Sequence, residues 1–199
     1  MAARRYLIAA VGALGVTTAA PASIIFLSNV SSDETDAALL SASMAFSISG
    51  TTLTLTVTNN TADPNAYHMN ELYFNAPDDV TLSFNGVVGW TMLTDQSANG
   101  FGTFDFALID GTGNDKDQIA PAESVDFTFA ILSGTPTMDD FVTLFSTLPP
   151  GDMAARVAAK FVRGPGDDSA FGANIPAPGV LALLGAASLA GGRRRRRRR

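Results

Sequence analysis

Residues 43–58 read SMAFSISGTTLTLTVT, an alternating run that points to an all-β chain. Apolar residues occupy every second position on both sides of Gly50, which is the period of a strand with one buried face. Two such runs joined through a glycine-containing link predict a β-hairpin. Threonine suits the outer face because its branched Cβ packs well on a pleated surface.

The same two-residue period continues through most of the chain. Its clearest instance is the segment 125–131, where large apolar residues alternate with smaller or polar ones. Further strands are expected at 70–75, 80–84, 88–93, at 101–109 with Phe104, Phe106 and Leu108 on one face, and lastly at 154–162 with Val157, Ala159 and Phe161 facing inward. About seven to nine strands, roughly ten residues apart, predict an antiparallel β-sandwich, with a jelly roll or open barrel as the alternative.

One short helix is expected between the predicted strands at 125–131 and 154–162. Thr137 followed by Asp140 resembles a capping box at a helix N-terminus. The residues at helical spacing behind it are Phe141, Leu144, Phe145 and Leu148. Pro149 would then end the helix, because proline cannot continue it.

Composition limits the chemistry that the chain can carry. Its 199 residues fit one globular domain with terminal segments. The lack of cysteine excludes a disulfide scaffold and cysteine-ligated metal sites. His68 is the only histidine, so a catalytic triad or a multi-histidine metal site is not expected and no residue is assigned a catalytic role.

The formal net charge of −6 conceals an uneven distribution. All 19 acidic residues lie between Asp33 and Asp168, and only 4 basic residues lie there, so this interval carries −15. The remaining positive charge lies at the two termini. A body of this charge would repel phosphate, so a nucleic-acid partner is not expected.

Residues 1–22 have the form of a secretory signal peptide. Arg4 and Arg5 precede the apolar segment 6–16, and small residues follow it. Ala20 and Ala22 supply the A-x-A spacing, so we expect signal peptidase to cut after Ala22, with a later cut as the alternative. Arg4-Arg5 also resembles a twin-arginine signal, although the general secretory route is favoured.

The C-terminal segment 175–199 has three consecutive parts. The first is a short motif of Pro176, Ala177, Pro178 and Gly179. The second is the apolar run 179–192, whose larger members are Val180, Leu181, Leu183, Leu184 and Leu189. The third is a stop-transfer block of Arg193, Arg194, Arg195, Arg196, Arg197, Arg198 and Arg199. As a helix the 14-residue run would be about 21 Å long, shorter than the ~30 Å of a full span, and flanking arginines can extend its reach.

Together these parts resemble the PEP-CTERM sorting domain recognised by exosortases. Ala177 stands where that family usually has glutamate. The resemblance implies a precursor held in the inner membrane and an exosortase-type enzyme that cuts near the motif. It also implies a mature protein at the cell surface or outside the cell, associated with exopolysaccharide or biofilm matrix.

The expected organisation is therefore a signal peptide at 1–22, an acidic β-sandwich at 23–168, a linker at 169–174 and a sorting signal at 175–199. The expected function is that of an exported, non-catalytic surface or matrix protein. Two alternatives stay open. Tyr67, His68, Tyr73 and Trp90 could line the sugar-binding face of a carbohydrate-binding module or adhesin. A hydrolase is less favoured, because neighbouring acidic residues on a strand point to opposite faces.

No cofactor is expected, with one alternative. The segment 110–117 reads DGTGNDKD, and Asp110, Asp115 and Asp117 could supply oxygen ligands to Ca²⁺. The EF-hand spacing is absent and the glycine-rich fragment occurs once. A solvated hairpin loop is therefore the favoured interpretation of this segment.

Overall fold

Strands account for most of the folded chain. The computed structural model describes residues 22–27, 30–31, 39–62, 67–113, 117–148, 152–165 and 168–175. Within them lie β1 (Ser23–Phe26), β2 (Val30–Ser31), β3 (Ala42–Ser49), β4 (Thr52–Asn59), β5 (His68–Phe74), β6 (Thr81–Phe84), β7 (Trp90–Ala98), β8 (Gly102–Asp110), β9 (Ser124–Ser133), α1 (Met138–Thr143), β10 (Val157–Gly164) and β11 (Asp168–Asn174). No helix in these ranges has the length and apolar character needed to cross a membrane.

The strands form two antiparallel sheets. One has five strands in the order β1-β3-β4-β9-β6, and the other has six in the order β2-β11-β10-β5-β8-β7. Neighbours in each sheet pair antiparallel. The predicted all-β, antiparallel fold with one short helix is confirmed, and two sheets are consistent with a sandwich.

The predicted hairpin at 43–58 is formed by β3 and β4. Their register runs from Ala42 opposite Asn59 to Ser49 opposite Thr52. Gly50 takes a φ of 59° at the turn, a conformation that favours glycine. Of the alternating apolar side chains, Ile48 is partly buried and the others are fully buried: Met44, Phe46, Leu53, Leu55 and Val57.

Aromatic rings connect the two sheets through the main core. Phe46 of the first sheet lies 5.8 Å from Phe74 of the second and 5.4 Å from Phe141 of α1, between ring centroids. Phe129 lies 5.7 Å from Phe74 across the same space. Such contacts add to the burial of large apolar surface, so this aromatic group ties both sheets to the helix.

A second apolar cluster lies on the opposite face of the six-stranded sheet. Tyr73 and Phe74 are successive residues of β5 and point to opposite faces, so Phe74 lies in the main core and Tyr73 in the second cluster. Its buried members are Tyr73, Ala98, Phe101, Phe104, Ala107, Ala155, Ala158 and Ala173. Phe104 therefore does not share a face with Phe106 and Leu108, and that prediction is wrong. The alternation breaks at Asp105, whose amide donates to Asn75 Oδ1 at 3.1 Å and whose carboxylate accepts from the amide of Ala76 at 3.0 Å.

Helix α1 begins where the sequence predicts and ends sooner. Asp140 Oδ2 accepts from the amide of Thr137 at 2.7 Å, as a capping box requires. The helix ends at Thr143 rather than at Pro149. The following segment is not helical, and Thr147 forms an isolated bridge with Thr103 of β8 through backbone hydrogen bonds of 2.8 and 2.9 Å.

The predicted linker at 169–174 is wrong, because these residues belong to β11. The strand pairs with β10 from Val157 opposite Asn174 to Gly164 opposite Asp168, so 154–162 is not the last strand. Small residues permit this close packing: a Cβ on Gly172 would lie 3.0 Å from the ring of Phe161. The inward positions of β10 are as predicted, since Val157, Ala159 and Phe161 are buried in the main core.

Candidate functional site

The predicted Ca²⁺ loop follows β8 at the end of the six-stranded sheet. Thr112 Oγ1 lies 2.7 Å from Asp110 Oδ1 and 2.8 Å from Asp117 Oδ2, so two carboxylates converge on one hydroxyl. Gly89 makes room for this arrangement, because a Cβ there would overlap the side chain of Asp117. Asp115 lies outside the described residues.

These groups supply too few ligands for a complete Ca²⁺ site. Ca²⁺ takes six to eight oxygens. Residues 67–113 and 117–148, with the other described ranges, bring no three His, Cys, Asp or Glu side chains together in a metal-binding arrangement. Asp110 is 8% exposed, and its Oδ2 has no hydrogen-bond partner within the part of the chain that is described. The Ca²⁺ alternative therefore stays a prediction.

The predicted sugar-binding aromatic face is not formed by the residues proposed for it. Tyr67, Tyr73 and Trp90 are 0%, 2% and 6% exposed. The Trp90 ring packs 5.0 Å from Phe127, and its Nε1 donates to the backbone oxygen of Asp117 at 2.7 Å. Rings in these positions belong to the core and cannot stack on a sugar.

His68 begins β5, and the described part of the chain brings no metal-binding group of His, Cys, Asp and Glu side chains to it. Burial lowers its pKa below 6.5, and the positive charge of Arg163 lowers that pKa further, whereas Glu123 opposes the shift. Its Nδ1 is buried and makes no hydrogen bond to any described residue. Burial and Arg163 therefore favour the neutral imidazole.

An ionic cluster that sequence reasoning missed lies on the second face of the six-stranded sheet. Lys160 of β10 stands directly opposite Glu71 of β5, with 2.8 Å between Nζ and Oε1. The hydroxyl of Tyr73 donates to the other oxygen of Glu71. Lys160 also lies 5.8 Å from the centre of the Phe171 ring.

The chemistry of this cluster is that of a satisfied structural network. Both oxygens of Glu71 are engaged, one by Lys160 and the other by Tyr73. Burial raises the pKa of Tyr73 well above its ordinary value, and the hydrogen bond to Glu71 adds to that rise. No local pattern could have revealed the cluster, since Glu71 and Lys160 are 89 residues apart in sequence.

Several other acidic residues have structural partners. Asp126 accepts from Thr56 Oγ1 at 2.6 Å across β4 and β9. Asp139 accepts from Ser23 Oγ at 2.8 Å, and Asp140 caps α1. The adjacent pair Asp139 and Asp140 is thus divided between two separate local roles and does not face a common cleft.

An open groove of about 360 Å³ lies beside the β3–β4 turn. Its lining residues are Ile48, Gly50, Thr51, Ile131, Leu132, Ser133, Gly134, Thr135 and Pro136. None of these side chains titrates at physiological pH. The groove therefore offers no acid–base pair for catalysis.

The residues predicted for processing and sorting fall outside this geometry. Ala20, Pro176, Ala177, Pro178, Gly179, the apolar run and the seven arginines lie outside the described residues. Ala22 is exposed immediately before β1, and Ile175 follows β11. No family model matches the chain, and neither does any curated protein or solved structure.

Proposed function

We propose that this chain is an exported cell-surface or extracellular-matrix protein whose β body is non-catalytic and whose C-terminal segment directs its sorting. One observation carries the proposal. Strand β1 begins at Ser23 and β11 ends at Asn174, so the first and last described strands lie just inside the predicted cleavage site after Ala22 and the motif that starts at Pro176.

The proposed mechanism concerns trafficking. The signal peptide starts export, and the apolar run 179–192 then enters the membrane. Seven arginines halt transfer because positive charge is retained on the cytoplasmic side. An exosortase-type membrane enzyme cuts near 176–179 and releases the body or transfers it to another anchor.

The body's charge supports a role outside the cell. Cleavage at both ends would remove every terminal arginine and leave the interval that carries −15. A large net charge keeps a protein soluble, and an acidic surface can hold cations or hydrated polymer. This charge favours an exopolysaccharide matrix as the surroundings of the mature protein.

The sorting signal is tested in a bacterial host that has an exosortase-type enzyme. Serine at all seven positions 193–199 should abolish stop-transfer, and Pro176→Ala with Pro178→Ala should reduce C-terminal processing. Lysine at the same seven positions is the matched control, because it keeps the charge. The readouts are surface delivery and the size of the mature chain. Normal delivery and processing in both the serine and the alanine variants would refute the proposal.

A further inference from the structure

The two ends of the folded domain are adjacent. Asn174 at the end of β11 donates its side-chain amide to the backbone oxygen of Phe26 in β1 at 2.8 Å. Ala173 pairs with Val30 of β2 directly beside this bond. The predicted signal peptide and the predicted sorting segment therefore adjoin two strands, one from each sheet, that contact each other at Phe26 and Asn174.

Exposed apolar side chains lie on segments that are linked to Asn174, the last residue of β11. Ile24 and Phe26 of β1 are 56% and 59% exposed, and Phe145 is 44% exposed. Phe145 lies beside Asn174 through Arg156, whose guanidinium is 5.4 Å from the Phe145 ring and whose amide donates to the Asn174 oxygen at 2.9 Å. We name Ile24, Phe26 and Phe145 the exit patch.

The tether between the domain and the apolar run is short. Residues 176–179 can extend at most about 14 Å. A domain of roughly 150 residues has a radius of gyration of about 15 Å. A tether of this length keeps the far side of the domain away from the membrane, so the residues linked to Asn174 lie on the side nearest the bilayer whenever the apolar run is inserted.

We propose that the exit patch rests on the lipid surface in the membrane-held precursor, an inference that depends on the membrane insertion in the proposed function. Aromatic and aliphatic side chains can enter the boundary between headgroups and acyl chains. Asp139 and Asp152 carry negative charge near this end, where they bind Ser23 and the amide of Gly102. The contact is therefore apolar and short-ranged, and it persists at high salt.

The absence of cysteine permits a direct test in the full chain. Single substitutions Phe26→Cys, Phe145→Cys, Val88→Cys and Leu184→Cys carry a fluorescent label in vesicles of phosphatidylcholine and phosphatidylglycerol that contain nitroxide lipid. Val88 is the matched control, because it is 86% exposed and precedes β7 at the Asp110 end of the sheet. Asn174 is level with Phe106 through Val157 and Phe74. It is therefore four residues from Asp110 along the strands and four strands from β7 across the sheet, roughly 13 Å and 19 Å.

We expect several-fold stronger quenching at positions 26 and 145 than at 88, with strong quenching at 184, at both low and high salt. Quenching at 26 and 145 that only equals the value at 88, with 184 quenched, would overturn the exit-patch inference and leave the proposed function standing. An unquenched label at 184 would instead overturn the membrane step of the proposed function, and this inference with it. Circular dichroism of each variant checks that the β-sheet content is unchanged.

Discussion

The side-chain amide of Asn174 donates to the backbone oxygen of Phe26 at 2.8 Å, and this bond joins the last strand to the first. The two residues are 148 positions apart in sequence. Strand β2 reinforces the closure because it pairs with β11 beside the same point. The two ends of the domain are therefore held together by folding of the whole chain.

Replacing Asn174 should separate the effects of losing the bond and of adding repulsion. Asn174→Ala removes the donor, and it also removes a buried Oδ1 that has no partner among the described residues. Because these effects oppose each other, we expect the free energy of unfolding to fall by only about 0.5–1 kcal/mol. Asn174→Asp turns an acceptor toward the Phe26 oxygen and should cost more, about 1–3 kcal/mol. Urea unfolding followed by Trp90 fluorescence measures both. Equal stability of the aspartate variant and the unsubstituted chain would show that the bond does not close the domain.

Gly164→Ala should be strongly destabilising. A Cβ at this position would overlap the ring of Tyr67, which is fully buried and cannot move aside easily. We expect the free energy of unfolding to fall by about 1–3 kcal/mol, as for other overpacked cores. Gly111→Ala is the matched control, because its nearest neighbour would be Thr91 Oγ1 at 3.9 Å, and it should change stability by no more than about 0.5 kcal/mol. Thermal unfolding compares the two, and similar melting temperatures would contradict the packing argument.

Tyr73 should make the protein lose stability at alkaline pH. Its pKa is raised in the folded state, mainly by burial and then by the hydrogen bond to Glu71. The stabilisation is therefore fully present below the unfolded-state pKa of about 10 and decreases as the pH rises above it. One proton gives a slope of at most about 1.4 kcal/mol per pH unit. Unfolding free energies of the unsubstituted chain and of Tyr73→Phe, measured across this range, should differ in slope, and parallel curves would assign the alkaline loss to other groups.

Calcium should leave the melting temperature unchanged. The described residues bring only Asp110 and Asp117 to Thr112, fewer oxygens than Ca²⁺ requires. Thermal unfolding of the full chain with excess Ca²⁺ and with a chelator tests this expectation, and Asp117→Asn is the comparison variant. A rise in melting temperature with Ca²⁺ that disappears in Asp117→Asn would contradict the prediction and establish a site in this loop.

Local patterns were sufficient for most strands. Met44, Phe46 and Leu55 are fully buried where their alternation predicts, because neighbouring side chains on a strand must point to opposite faces. The Thr137–Asp140 cap likewise depends on four consecutive residues. Predictions failed where residues distant in sequence meet. Asp105 bonds to Asn75 where the alternation breaks, and Thr147 pairs with Thr103 where a helix was predicted.

The candidate sites show the same division. The spacing of apolar residues predicted an all-β chain, because this spacing is a property of short segments. The charge of the sequence established a strongly acidic interval between two basic ends, because charge depends on composition alone. Only the tertiary structure decided that Glu71 meets Lys160, that Trp90 and Tyr67 are buried, and that Asn174 meets Phe26. The physical reason is that the pairing of distant strands depends on burial summed over the whole core, and no single segment contains that sum.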